Sequence, residues 1–167
     1  MSGIYRDESE TFEINLSAAC WSMGEELRDK FQAAGNLLNG VDWIVETDDA
    51  LILIEFKDYS GRGMKIDNKL EGYLQKITRK YYFSAYYLYA RGKRKVMDYV
   101  LIAEGSNIDD LVKYTIKASI HKRLPFVLQE NPEISDKLIE YFEMYSVSEW
   151  NEKYPMFPLA KINKPPT

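Results

Sequence analysis

GVDWIVETDDALILIEFKD, residues 40–58, holds two short apolar runs, Val41–Val45 and Leu51–Phe56, rich in Val, Ile and Leu with one Trp. The polar interval Glu46-Thr47-Asp48-Asp49-Ala50 between them predicts a β-hairpin. A turn symmetric about Asp48-Asp49 sets Thr47 opposite Ala50, and counting back sets Asp42 opposite Glu55. Side chains alternate faces along a strand, so Glu55 and Lys57 share one face. Directly opposed residues on a face have Cβ atoms about 5 Å apart. The stretch therefore brings two carboxylates side by side, with a lysine next to them.

Adjacent carboxylates repel, and a hairpin gains nothing from pairing them unless something neutralises the charge. A divalent hard cation, Mg²⁺ (or Mn²⁺), does so, because it takes carboxylate oxygens, waters and phosphate oxygens as ligands. Bound there, it polarises a phosphodiester and acidifies a water. Lys57 is then placed to orient that water or to stabilise charge growing on the phosphate. The competing reading makes Asp42 a strand-edge charge and Glu55–Lys57 an exposed ion pair.

Working outward, Leu16, Cys20, Met23, Leu27, Phe31 and Ala34 recur every three or four positions and predict a helix from Leu16 to Ala34, stopped by Gly35. Residues 58–67 form a polar, glycine-containing loop. Asn68 with Glu71 resembles a capping box and opens a long helix ending near Gly92. Lys95–Ala103 reads as a strand, Ser106 and Asp109 as the start of a helix through about Lys122, Leu124–Leu128 as a short strand, and Asn131-Pro132 as the opening of a helix to about Tyr145. The order implies an α/β domain with a mixed sheet, spanning residues 16–150. Residues 1–15 read as a poorly ordered lead-in, and 151–167, with four of the six prolines, as an extended tail.

Gly40-Val41-Asp42 followed by Ile54-Glu55-Phe56-Lys57 resembles the PD…(D/E)XK signature of the restriction-endonuclease-like nuclease superfamily. The resemblance implies a core of a helix, a motif-bearing hairpin, a second helix and a further strand, matching residues 16–103, here with extra C-terminal helices. It implies Mg²⁺ or Mn²⁺ held by Asp42, Glu55 and the backbone carbonyl of Phe56, with Lys57 assisting the nucleophilic water. Val41 stands where the family has proline. The interval from Ala34 to Asp42 is too short for a full first strand, which is reduced or supplied from elsewhere. Many members add a glutamate from the first helix. Glu25 and Glu26 are the candidates, and Glu26 flanks the apolar stripe while Glu25 points nearly opposite to it. Several branches use a glutamine on the following helix, often within QxxxY. Gln75 has that place, but Arg79 stands where the tyrosine would.

Net charge is -4, which argues against binding nucleic acid by overall attraction but not against a local basic patch. Lys76–Lys95 carries seven basic residues and no acidic one, interleaved with tyrosines. Lys76, Arg79, Lys80, Tyr82 and Tyr86, with Gln75, are the candidate nucleic-acid contacts, the tyrosines as stacking platforms. Leu70, Leu74, Ile77, Tyr81 and Leu88 of the same helix form a core stripe. The single histidine, His121, excludes multi-histidine metal sites, and neither a P-loop nor GxSxG occurs. Cys20 is alone, no run approaches the ~18 apolar residues that span a bilayer, and the first ten residues lack a secretory pattern, so a cytoplasmic setting is expected. The expected activity is metal-dependent phosphodiester hydrolysis, with DNA as the polymer. The alternative is a non-cleaving module of the same fold that binds nucleic acid or a protein, and a homodimer or protein partner is compatible with either.

Overall fold

The computed structural model describes residues 3–24, 26, 27, 29, 39–61, 69–105 and 108–163. They form a mixed α/β structure around a five-stranded sheet. In chain order the strands are β1 (Ile4–Arg6), β2 (Phe12–Asn15), β3 (Trp21–Met23), β4 (Trp43–Glu46), β5 (Ala50–Asp58), β6 (Val96–Glu104), β7 (Ile139–Tyr145) and β8 (Leu159–Lys161). The helices are α1 (Leu70–Ala90), α2 (Asp110–His121) and α3 (Val147–Lys153). The main sheet has order β3-β4-β5-β6-β7, antiparallel as far as β5 and parallel from β5 to β7. A second sheet, β1-β2-β8, is antiparallel throughout.

β5 is the middle strand, and its residues Leu51–Phe56 are buried on both faces. That double burial is why the strand reads as a continuous apolar run rather than an alternating one. Leu51 and Leu53 pack with Leu74, Ile77, Tyr81, Leu88, Ile116 and Ile120 of α1 and α2. Ile52, Ile54 and Phe56 pack on the other side with Phe12, Ile14, Leu159 and Trp150. The molecule is thus layered as helices, main sheet, then the small sheet with α3. The β4–β5 pairing has Trp43 opposite Ile54 and Glu46 opposite Leu51, which is the expected register. Thr47 closes the turn through its amide to the Ala50 carbonyl, 2.9 Å, while its hydroxyl accepts from the Ala50 amide, 3.1 Å.

α1 ends as its sequence implies. Gly92 has φ +75°, and the Gly92 and Lys93 amides donate to the Tyr89 and Leu88 carbonyls in a Schellman arrangement. Its start is capped by Lys69 without a side-chain bond, and Asn68, the expected cap, lies outside the described residues, as does Ser106. α2 is capped by Asp109, whose carboxylate accepts from the Val112 amide.

Four expectations are overturned. The helix expected from Leu16 begins later: Trp21–Met23 is strand β3, paired with β4, and only Glu26, Leu27 and Asp29 of the described residues are helical. β3 is therefore the neighbour that the short Ala34–Asp42 interval could not supply; Glu25, Phe31, Ala34 and Gly35 lie outside the described residues. Leu124–Leu128 is not a strand but a run of turns leading into a 3₁₀ turn at Leu128–Glu130. The helix expected from Asn131 to Tyr145 is absent, because Ile139–Tyr145 extends the sheet parallel to β6. Gln129 seeds that strand by accepting from the Leu138 and Ile139 amides and donating to the Ile139 carbonyl. The helices C-terminal to residue 103 are α2 and the short α3, the latter opened by a Ser146–Glu149 capping box. Finally, the lead-in is not poorly ordered: it forms β1 and β2, and β2 also pairs with β8 of the extended tail. No helix among the described residues is long and apolar enough to cross a membrane.

Candidate functional site

The β4–β5 ladder ends at Trp43, and three departures from it build the site. The Val41 amide leaves the sheet and donates to the Ser84 hydroxyl of α1, 3.0 Å. Asp42 turns its carboxylate into the vacated ladder position and accepts from the Phe56 amide, 2.9 Å. Glu55, opposite Asp42, is wholly buried on the face that meets α1. A strand residue projects its amide and carbonyl to the same edge, so the Phe56 carbonyl faces the Asp42 side as well.

Two ammonium groups close around the carboxylates. Lys57 Nζ lies 2.6 Å from Glu55 Oε1 and 3.8 Å from Asp42 Oδ2, with its side chain 31% exposed. Lys80 reaches in from α1, itself only 5% exposed, and donates to both Glu55 oxygens at 2.7 Å while lying 3.5 Å from Asp42 Oδ1. Two negative and two positive charges share the site, so it is neutral as it stands. Burial, then the charge of Asp42, pushes the Glu55 carboxyl above its ordinary range, against the pull of Lys57 and Lys80. Burial works against the charge of Lys57, but Glu55 and Asp42 outweigh it and hold the ammonium protonated well above its usual range. Beside them the Tyr59 hydroxyl donates to Tyr73, 2.6 Å, and burial raises both phenols.

The opening to solvent is a cleft lined by Asp42, Phe56, Lys57 and Asp58 on one side and by Asp7, Glu8 and Ser9 on the other. Asp7 fixes that far wall. Its carboxylate accepts from the amides of Thr11 (2.7 Å), Phe12 (2.6 Å) and Ser9, and from the Ser9 hydroxyl. The β1–β2 turn thereby becomes part of the approach to Asp42 and Lys57.

No family model, curated protein or solved structure matches this chain.

Asp42, Glu55 and Lys57 are thus brought together as their register implies. Glu26 is helical and exposed, and among the described residues no three His, Cys, Asp or Glu side chains are grouped to hold an ion, so Glu26 does not join the pair. Gln75 is also elsewhere, exposed and donating to Glu71, 3.2 Å. Lys76 and Arg79 are exposed on α1 away from the carboxylates, and Tyr86 is 70% exposed. Tyr82 donates to the Arg123 carbonyl, 2.7 Å. Lys80 is the correction that matters: expected as a surface contact, it lies within the carboxylate cluster. Lys80 lies between Ile77 and Ser84 on α1, three and four residues away, so it shares the inward face that borders the apolar stripe. Ser84 marks the same face, and a lysine and a serine at that spacing were the available signal.

The donor set suits a hard divalent ion: two carboxylates and a backbone carbonyl, the remaining positions left to water or phosphate. One cation, the Lys80 ammonium, already touches both carboxylates, so their spacing admits a shared positive charge. An ion taking that place has to compete with Lys80.

Proposed function

We propose that the chain is a metal-dependent nuclease of the PD-(D/E)XK type, hydrolysing phosphodiester bonds of DNA. The observation that carries this reading is the meeting of Asp42, Glu55 and Lys57 at the end of one hairpin, beside an open cleft. The order of helical residues Glu26, Leu27 and Asp29, the β4–β5 hairpin, α1 and β6 supports a restriction-endonuclease-like core. Asp42, Glu55 and the Phe56 carbonyl would hold Mg²⁺ or Mn²⁺, which when bound supplies electrophilic activation of the phosphodiester and an acidified water. Lys57, protonated and at the cleft, would donate to an attacking water or to the phosphate. Gln75, Lys76, Arg79, Tyr82 and Tyr86 remain exposed on α1 for contacts to the polymer; Lys80 is withdrawn from that set.

A second reading has a specific observation behind it. The cluster is charge-neutral through Lys80, so a non-cleaving module of this fold, binding nucleic acid or protein, needs no ion to keep Asp42 and Glu55 together. Single- and double-stranded DNA and RNA incubated with Mg²⁺, Mn²⁺ or EDTA separate the two. Metal-dependent cleavage that falls about 10²–10³-fold in Lys57→Ala supports the nuclease. No cleavage of any substrate with either metal, or a Lys57→Ala variant as active as the parent, overturns it.

A further inference from the structure

Lys80 is a buried, fully paired lysine that the reaction just described does not use. It donates to both oxygens of a carboxylate with no exposed surface and approaches the second carboxylate at 3.5 Å. The other lysine of the cluster sits differently: Lys57 is partly exposed, contacts one oxygen of Glu55 and faces the cleft. Removing the charge of Glu55 from water is costly unless it is paired and hydrogen-bonded. Lys80 supplies that pairing from the rigid interior of a 21-residue helix, packed among Ile77, Tyr81 and Ser84.

We propose that Lys80 is a built-in counter-cation that occupies the carboxylate pair in the metal-free protein and must be displaced from Glu55 when a divalent ion binds, so that it sets the metal affinity of the site. The inference rests on the metal reading of Asp42 and Glu55. It adds that this chain stays folded around its site without an ion, and that ion binding is weakened by an internal competitor. Once the ion has taken the place of the ammonium at Glu55, the site carries surplus positive charge, which an anionic phosphate at the cleft compensates. A divalent ion and its substrate therefore favour one another's binding, each relieving the charge the other leaves uncompensated.

The test is Mn²⁺ binding by calorimetry and the Mn²⁺-induced rise in melting temperature, measured on the full chain and on Lys80→Gln, with cleavage assayed alongside. Glutamine keeps a donor to Glu55 and loses the charge. Removing a unit charge next to a partly buried ion site tightens Mn²⁺ binding by at least about tenfold. Lys80→Arg, which keeps the charge, binds within about threefold of the parent and guards against an effect of packing alone. A purely structural role for Lys80 would instead weaken binding in Lys80→Gln. If the parent binds Mn²⁺ and cleaves but Lys80→Gln binds no tighter, the counter-cation proposal fails and the nuclease reading stands. If the parent neither binds nor cleaves while Lys80→Gln binds Mn²⁺, the nuclease reading fails and the counter-cation stands. If no form binds Mn²⁺, both fail.

Discussion

Asp98 is the one buried carboxylate of β6, 8% exposed, and its Oδ1 is shielded from solvent without a hydrogen-bond partner among the described residues. Burial first, and then the nearby charge of Glu140, raise its carboxyl from 3.8 to about 6, against a hydrogen bond from Tyr141 and the charges of Lys137 and Lys153. A folded-state value above the unfolded one means that the native protein prefers the protonated acid. The resulting stability is fully present below about pH 4 and is lost as pH rises through about 6. The shift corresponds to about 3 kcal/mol as an upper bound, and to about 1–2 kcal/mol once water reaching the outer oxygen is allowed for. Asp98→Asn keeps the shape and removes the charge. Urea unfolding from pH 4 to pH 8 should therefore give a difference between variant and parent that grows in the variant's favour by about 1–2 kcal/mol above pH 6, or a few degrees in melting temperature at pH 7.5. Taking the difference cancels the other titrating groups. Parallel pH profiles, or a variant less stable than the parent at pH 8, would refute the reasoning.

Ser84→Ala leaves the buried Val41 amide without its acceptor, and should cost about 1–3 kcal/mol in denaturant melts while loosening the chain just before Asp42. Asp7→Ala removes the acceptor of three turn amides and should lower stability at neutral pH by about 1–2 kcal/mol. Although burial opposes its charge, the Phe12, Ser9 and Thr11 hydrogen bonds depress the Asp7 carboxyl below 3.8. The stability it contributes is present above that value and disappears as pH falls through the depressed one, so parent and variant should converge in acid melts. Phe142→Ala hollows the core under β7 and should cost about 3–5 kcal/mol; a loss below about 1 kcal/mol would mean that β7 is not docked on β6.

The parts of this fold that could be read from the sequence are those whose partners are near in the chain. The Asp48-Asp49 turn fixes the β4–β5 register locally, so Asp42 and Glu55 could be set opposite one another by counting. α1 carries its own apolar stripe and its own glycine terminator. β3 and β7 are different. Trp21-Ser22-Met23 becomes a strand because β4 offers it an edge, and Ile139–Tyr145 because β6 does, and neither edge is visible in a window of ten residues. Within 131–145 the apolar positions fit a helix about as well as a strand, and the docking of Gln129 decides between them. Lys80 was missed for another reason. A lysine beside a core stripe is ordinarily a side chain that carries its charge out to water, and only the end of β5, arriving from elsewhere in the chain, turns it inward.

Loop-closure entropy predicts that the small sheet is the first part of this molecule to come apart. The β4–β5 hairpin closes a turn of three residues, Thr47 to Asp49, whereas β2 meets β8 across almost the full length of the chain, Phe12 with Lys161. Loop-closure entropy and late formation both fall on the distant pairing. The floor of the cleft, Asp42 and Phe56–Asp58, thus belongs to the early and persistent unit, and the wall at Asp7–Ser9 to the unit that docks last and opens first. Amide exchange in β1, β2 and β8 accordingly measures how often one side of the site swings away while Asp42, Glu55 and their two lysines stay in register. Width of access and integrity of the charge cluster are then separate properties, each carried by a different layer.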